Sequence, residues 1–196
     1  MASDIGLPIP EAYNVSPRTG FLPEVVSCES DLHPYYQPWI RVTQDLQNLI
    51  MDNRIRNVVD GIPVLSCERL ETISQRRKAY SMLGFIYHAY IWGGEEPAEV
   101  IPESVSSPLL LICKSLELPP VVTYAGLDIK PLYRIDNLST QITFTGAIDE
   151  SWFYLVSVAI EARGDPLVRV ILDAVHYAQG NEVNAVAAQL ICLLER

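Results

Sequence analysis

Phe153 and Ser157 stand four residues apart in the run Ser151-Trp152-Phe153-Tyr154-Leu155-Val156-Ser157. On a helix that spacing puts them on one face, which Ile160 and Glu161 continue. An aromatic ring beside a small hydroxyl suits the wall of a pocket for a flat ligand. From pattern alone the commoner arrangement is a packed helix, with Phe153 in the core and the Ser157 hydroxyl bonded back to the carbonyl four residues earlier. Few other residues offer chemistry. There is no GxGxxG, no P-loop, no GxSxG and no HExxH. The three histidines, His33, His88 and His176, are far apart, and both His88, among Ile86, Tyr87, Ala89 and Tyr90, and His176, four residues after Leu172, read as hydrogen-bonded core residues rather than metal ligands. Glu95, Glu96, Glu99 and Glu103 are interrupted by Pro97 and Pro102 and read as a solvated loop, which gives a paired-carboxylate hydrolase no support. Cys28, Cys67, Cys113 and Cys192 form no CxxC and no Cys/His pair at zinc spacing, so reduced, buried thiols are expected.

The elements that would position these residues are helical. The chain has 196 residues, 49% of them hydrophobic, a composition that folds. Its 14 Lys+Arg against 24 Asp+Glu give a formal charge of −10, which argues against nucleic acid and anionic membrane as partners, since both require a surplus of cations on one face. The first twenty residues lack the basic and apolar regions of a secretory signal. The longest uncharged apolar stretch, 79–92, falls short of the ~18 to 20 residues that span a bilayer. A cytoplasmic protein is expected.

Proline-rich residues 1–36 should be extended. From Pro38, the positions of Trp39, Val42, Leu46, Leu49 and Ile50 predict one amphipathic helix. A second helix should begin near Cys67 or Glu68 and stop at Gly93-Gly94; its later turns are apolar all round, which places it at the centre of a bundle. Ser107-Pro108 should open a third, ended by Pro119-Pro120. Val121 to Thr145, rich in β-branched and aromatic residues, reads as an extended or hairpin connector. Asp149 should cap a helix stopping at Gly164, Asp165-Pro166 should start another that stops at Gly180, and Asn181 should open the last. That last helix gathers Val183, Val186, Ala187, Leu190, Ile191 and Leu194 on one stripe, a face that needs a partner layer. No repeat of 20 to 50 residues or low-complexity run is visible.

Six segments, in order, resemble the indoleamine 2,3-dioxygenase family: GFLP (20–23), IPVLS (62–66), RRKAYSMLGFIYHAYIWGG (76–94), VIPESVSSPL (100–109), LELPPVVTYAGL (116–127) and WFYLVSVAIEARG (152–164). The resemblance implies an all-α fold in which a small N-terminal helical domain joins a larger one, with haem b between them. It implies opening of the indole ring of L-tryptophan by dioxygen to give N-formylkynurenine, a step of tryptophan catabolism. It divides the chain into an extended segment at 1–36, a small helical domain with its connector at 37–146, and the start of the haem-binding domain at 147–196. By the same resemblance Tyr124, Leu127 and Phe153 would contact substrate, with Phe153 stacked near the indole. Tyr124 and Ser157 would lie by the cofactor, Ser157 as the hydroxyl closest to dioxygen, and Tyr154 would turn toward packing.

The chain also departs from the family. Leu127-Asp128-Ile129-Lys130 differs from the expected connector, and members run to about twice this length. A second pocket phenylalanine, the arginine for the substrate carboxylate, a glycine-rich loop and the proximal histidine have no counterpart in the chain, and none of its three histidines stands at a matching position. The expectation is therefore an incomplete, inactive half of a haem dioxygenase, with a complementary C-terminal half as partner beside the indole substrate and oxygen. The alternative is a non-catalytic helical interaction module derived from that family. A free-standing enzyme of other chemistry has no constellation to carry it.

Overall fold

The computed structural model describes residues 6–13, 15, 16, 19, 20, 22, 32–121 and 142–194. The chain divides into two compact units, one of residues 25–155 and one of residues 1–24 with 156–196. Among the described residues the regular structure is helical, the β-type pairing being a single antiparallel bridge between Ser16 and Gly20.

The unit of residues 25–155 is built around one helix. It contains α1 (Gln37–Gln44), α2 (Leu46–Met51), α3 (Ile55–Asp60), α4 (Ile73–Trp92) and α5 (Glu103–Leu116). In α4, Ala79, Tyr80, Met82, Leu83, Phe85, Ile86 and Ala89 are all buried, as the unbroken apolar run requires, and α5, α1 and α3 are its main neighbours. Trp39 of α1 is fully buried and stacks on Tyr36 with ring centres 4.8 Å apart.

Both ends of α4 are fixed by side chains. At its start the Gln75 amide donates to Thr72 Oγ1 at 3.1 Å, while Gln75 Oε1 accepts the amides of Thr72 and Glu71, a reciprocal capping box. At its end the Arg56 guanidinium donates to the carbonyls of Tyr90 at 3.0 Å, Ile91 at 2.9 Å and Glu96. The Tyr90 and Ile91 carbonyls of the last turn thus meet a cation, which the helix dipole also favours there. The two glycines make room for this. A Cβ on Gly93 would come within 2.4 Å of the Ala89 carbonyl oxygen and 2.5 Å of Ile55 Cγ2, and one on Gly94 within 2.6 Å of the Arg56 guanidinium.

Several helix boundaries differ from the sequence expectations. The helix expected from Pro38 through Ile50 breaks at Asp45, whose side chain accepts from Asn48 Nδ2 at 2.7 Å, and the Thr43 hydroxyl bonds back to Trp39 and Ile40 carbonyls just before the break. The short α3 went unread. Helix α4 begins at Ile73 rather than at Cys67 or Glu68, because residues 67–70 close a separate turn and Thr72 supplies the cap. Helix α5 begins at Glu103, so Pro108 lies inside it and is buried, and its carbonyl accepts from Cys67 Sγ. A proline there removes one backbone bond without ending the helix.

Instead of two helices split at Gly164, one helix, α6 (Ile148–Gln179), runs through both Gly164 and Pro166. The hydrogen-bonded turns on either side carry it across the one lost hydrogen bond. Asp149 accordingly sits in its first turn and does not cap it. Helix α7 (Val183–Leu194) follows a turn in which Asn181 takes φ 58°. On α7, Val183, Leu190, Ile191 and Leu194 are exposed. No helix of the described residues is long and apolar enough to cross a membrane.

Candidate functional site

The first turn of α6 is tied to the loop before it by one carboxylate. Glu150, the third residue of the helix, reaches back as the acidic member of a capping box does, but farther. Its Oε1 accepts the Phe144 amide at 2.8 Å and the Tyr154 hydroxyl at 3.0 Å. Its Oε2 accepts the Thr145 amide at 2.8 Å and the Thr145 hydroxyl at 2.6 Å. The same threonine oxygen accepts the Ala147 amide at 3.1 Å. Burial pushes the Glu150 carboxyl up, and the bonds from Thr145, Phe144 and Tyr154 outweigh it, holding the group below the usual carboxylate range. Four donors fill its lone-pair sites, so it has no capacity left to take a proton from a substrate.

On its other side the loop is held by α2. Gln47 Nε2 donates to Thr143 Oγ1 at 2.6 Å, and Gly146 takes φ 71° where a Cβ would stand 2.6 Å from Gln47 Oε1. The positive φ favours glycine there, and any side chain would also push the Gln47 amide aside. The loop thereby delivers Phe144 to Phe85 of α4, ring centres 4.7 Å apart, while Tyr154 meets Phe85 edge-on at 6.3 Å.

Phe153 lies next to this cluster, its ring edge-on to Tyr154 at 5.9 Å and 60% exposed. It is not the core residue that the packed-helix reading required. Ser157, one turn further on α6, is half-buried. Tyr154 is turned into packing, against Phe85. Tyr124 and Leu127 lie in residues 122–141, outside the described residues, as does most of the connector expected between Val121 and Thr145; its described ends, Val121 and residues 142–145, carry no strand. The turn leading to them is fixed: the buried Tyr80 hydroxyl lies within hydrogen-bonding reach of the carbonyls of Pro119 and Val121, and Cys113 Sγ also points at Pro119 O.

The histidines are dispersed. His33 Nδ1 accepts the Tyr35 amide at 3.1 Å and the Arg69 guanidinium lies against its ring. His88 is half-buried and edge-on to Tyr87, and burial lowers its pKa. His176 is exposed beside Tyr177. The expectation of hydrogen-bonded core histidines thus fails for both His88 and His176. Among the described residues no group of three His, Cys, Asp or Glu could hold a metal ion. Cys67, Cys113 and Cys192 are free thiols; Cys113 is buried as expected, Cys67 and Cys192 are only half-buried, and burial pushes the Cys67 and Cys113 thiols up.

Glu150, Gln47 and Tyr80 were missed by sequence reasoning. A carboxylate three residues into a helix that follows Thr-Gly was a usable signal for Glu150. The partners of Gln47 and Tyr80 are too distant in sequence to leave one.

The indoleamine 2,3-dioxygenase family model matches residues 9–196. An indoleamine 2,3-dioxygenase of Aspergillus nanangensis is 36% identical over 194 residues, covering 92% of this chain and 47% of that protein. The indoleamine 2,3-dioxygenase of Saccharomyces cerevisiae is 35% identical, with 92% and 44% covered, and a 6-hydroxytryptophan 2,3-dioxygenase of Fusarium equiseti is 35% identical, with 88% and 45% covered. The chain spans just under half the length of these relatives. With the six motifs in order, helical structure among the described residues and a family match over nearly the full length, the chain belongs to the indoleamine 2,3-dioxygenase family.

Proposed function

We propose that this chain supplies the substrate-side wall of a haem-dependent dioxygenase that opens an indole ring, with L-tryptophan or a ring-modified tryptophan as substrate and dioxygen as co-substrate. The observation that carries the reading is Phe153: a large ring left 60% exposed, on a helix whose first turn is held by four hydrogen bonds to Glu150. A rigidly mounted exposed ring suits stacking on a flat heteroaromatic. In this reading Phe153 stacks on the indole, Tyr124 and Leu127 complete the contact with substrate, and Ser157, with Tyr124, borders the cofactor. The Fusarium relative's name, which specifies a hydroxylated tryptophan, is in keeping with a wall that selects an indole and tolerates substitution on it.

The residues fit an apolar wall and do not fit the iron of haem b. An axial histidine needs its second ring nitrogen anchored to a carbonyl or carboxylate. His33 has its Nδ1 engaged by the Tyr35 amide and a guanidinium against the ring, His88 sits against Tyr87, and His176 is exposed. The axial ligand is therefore assigned to none of the three. In this reading the division into 1–36, 37–146 and 147–196 follows the family's domains, and a complementary C-terminal half brings the ligand.

A second reading, a non-catalytic helical module, is favoured by the exposure of Ile171, Val175, Leu190 and Ile191 on α6 and α7, which suits docking of an apolar helix. One assay separates the two. The 196-residue chain is supplied with haemin, reductant, oxygen and L-tryptophan, and formylkynurenine absorbance is followed beside a Soret titration. The expected result is no product above a free-haemin control, with product appearing when the remaining segment of a full-length relative is added. Turnover by the chain alone with a histidine-ligated spectrum would overturn the assignment of the ligand. Silence with the added segment, despite its binding, would favour the module.

A further inference from the structure

We infer that Glu150 is a positioning residue for Phe153: through its bonds to Phe144, Thr145 and Tyr154 it fixes the direction in which the exposed ring is presented. The role as a substrate wall rests on the function proposed above; the mechanical role does not.

Phe153 has no buried pocket of its own, being 60% exposed, so its rotamer depends on its neighbours. One ring that touches it is Tyr154, edge-on at 5.9 Å. Tyr154 is in turn fixed at two points, its ring edge-on to Phe85 and its hydroxyl on Glu150 Oε1. Glu150 is immobilised because the same oxygen accepts the Phe144 amide and the other accepts two donors of Thr145. The loop carrying those amides is pinned from α2 by Gln47 on Thr143 and by the close approach of Gln47 to Gly146. This path from the fixed loop to Phe153 thus passes through an ionised link. A carboxylate suits that link and an amide does not. All four groups converging on Glu150 are donors, and a glutamine would set an NH₂ against two of them. The saturated carboxylate also makes Glu150 a holder and not an acid or base of the reaction.

The test uses the full 196-residue chain. Amide hydrogen exchange at Phe144 and Thr145 and the ring-proton shifts of Phe153 are read by NMR in wild type, Glu150→Gln, Tyr154→Phe and Thr145→Val. Glu150→Gln is expected to speed exchange at both amides by about tenfold or more, since bonds to a charged acceptor are being lost, and to move the Phe153 ring signals. Tyr154→Phe should leave both amides protected and still move the Phe153 signals, which a purely structural role of Glu150 in the loop would not produce. If Glu150→Gln fails to fold, Thr145→Val, which removes one donor to Oε2 and the acceptor for Ala147, should speed exchange at Ala147 and move Phe153 to a smaller extent. Protected amides in Glu150→Gln, or Phe153 signals unmoved in both Glu150→Gln and Tyr154→Phe, would overturn the inference. Addition of 5-fluoro-L-tryptophan to the wild-type chain completed by haemin and the remaining segment of a relative tests the substrate reading separately: an unresponsive Phe153 there sinks that reading, while freed amides in Glu150→Gln still support the positioning role.

Discussion

Tyr154 donates its hydroxyl proton to Glu150, one helical turn earlier on α6, at 3.0 Å, and its ring stands between Phe85 and Phe153. A polar bond and two edge-to-face contacts thus meet in one side chain. The buried side of the helix start and the exposed side are thereby set together, so changes at the loop should be felt at Phe153.

Acid should release this arrangement. The Glu150 pKa is lowered in the folded chain, so the stability it contributes is fully present above the ordinary carboxylate value and is lost as pH falls through the lowered folded value. Between neutrality and about pH 5 the loop should be unchanged. Below the ordinary carboxylate value of 4.5, the protection of the Phe144 and Thr145 amides, measured against their intrinsic exchange at each pH, should fall progressively as pH falls. Glu150→Gln should lose that dependence. An acid response equally steep in Glu150→Gln would assign it to other carboxylates.

The end of α4 should be intolerant of a single methyl group. Gly93→Ala puts a Cβ inside contact distance of both the Ala89 carbonyl and Ile55 Cγ2, so the overpacking should destabilise by about 1 to 3 kcal/mol. Arg56→Ala leaves the carbonyls of Tyr90, Ile91 and Glu96 without their cation and should cost a comparable ~1.5 to 3 kcal/mol. Urea unfolding followed by circular dichroism measures both. Wild-type midpoints would mean that the last turn frays at no cost.

Phe153→Ala should separate ligand recognition from folding. The ring is 60% exposed, so its loss should shift the unfolding midpoint little, by roughly 0.5 kcal/mol or less, as for an exposed surface site. In a form completed by the rest of a relative's chain, it should weaken use of the indole more than haem uptake, removing a stacking contact of about 1 kcal/mol. Ser157→Ala should be milder. Equal loss of haem and turnover in Phe153→Ala would make the ring structural, and abolished turnover with haem retained in Ser157→Ala would give that hydroxyl an indispensable role.

Local features of α4 were legible in the sequence and their causes were not. Gly93-Gly94 marked its end, but the reason is Arg56, on a different helix. The apolar run from Ala79 announced a central helix because burial on every side leaves no polar face to read. Prolines misled twice: Pro108 and Pro166 both sit inside helices, where each removes one bond while the neighbouring turns hold. The spacing of Phe153 and Ser157 was visible in the sequence, and the roles proposed for them rest on the family resemblance. Glu150 was passed over because a carboxylate in a first helical turn is common, and only the folded loop brings four donors to it.

The apolar stripe on α7 should govern the behaviour of the chain in solution. Val183, Leu190, Ile191 and Leu194 are 75%, 52%, 55% and 86% exposed, and Ile171 and Val175 on α6 are exposed as well. Apolar surface of this extent favours self-association when no partner covers it. The isolated chain should be predominantly helical by circular dichroism yet elute early and broadly on size exclusion. Leu190→Glu with Ile191→Lys should sharpen the peak toward the monomer while leaving helicity intact, since neither side chain is buried in the fold and both replacements are good helix formers. The same double variant should fail to bind an added C-terminal segment of a relative, because a charge on a docking face must be desolvated without a partner. A wild-type chain that is already a compact, cooperatively melting monomer would show that the stripe needs no cover, and would count against both a complementary half and a helical partner at this face.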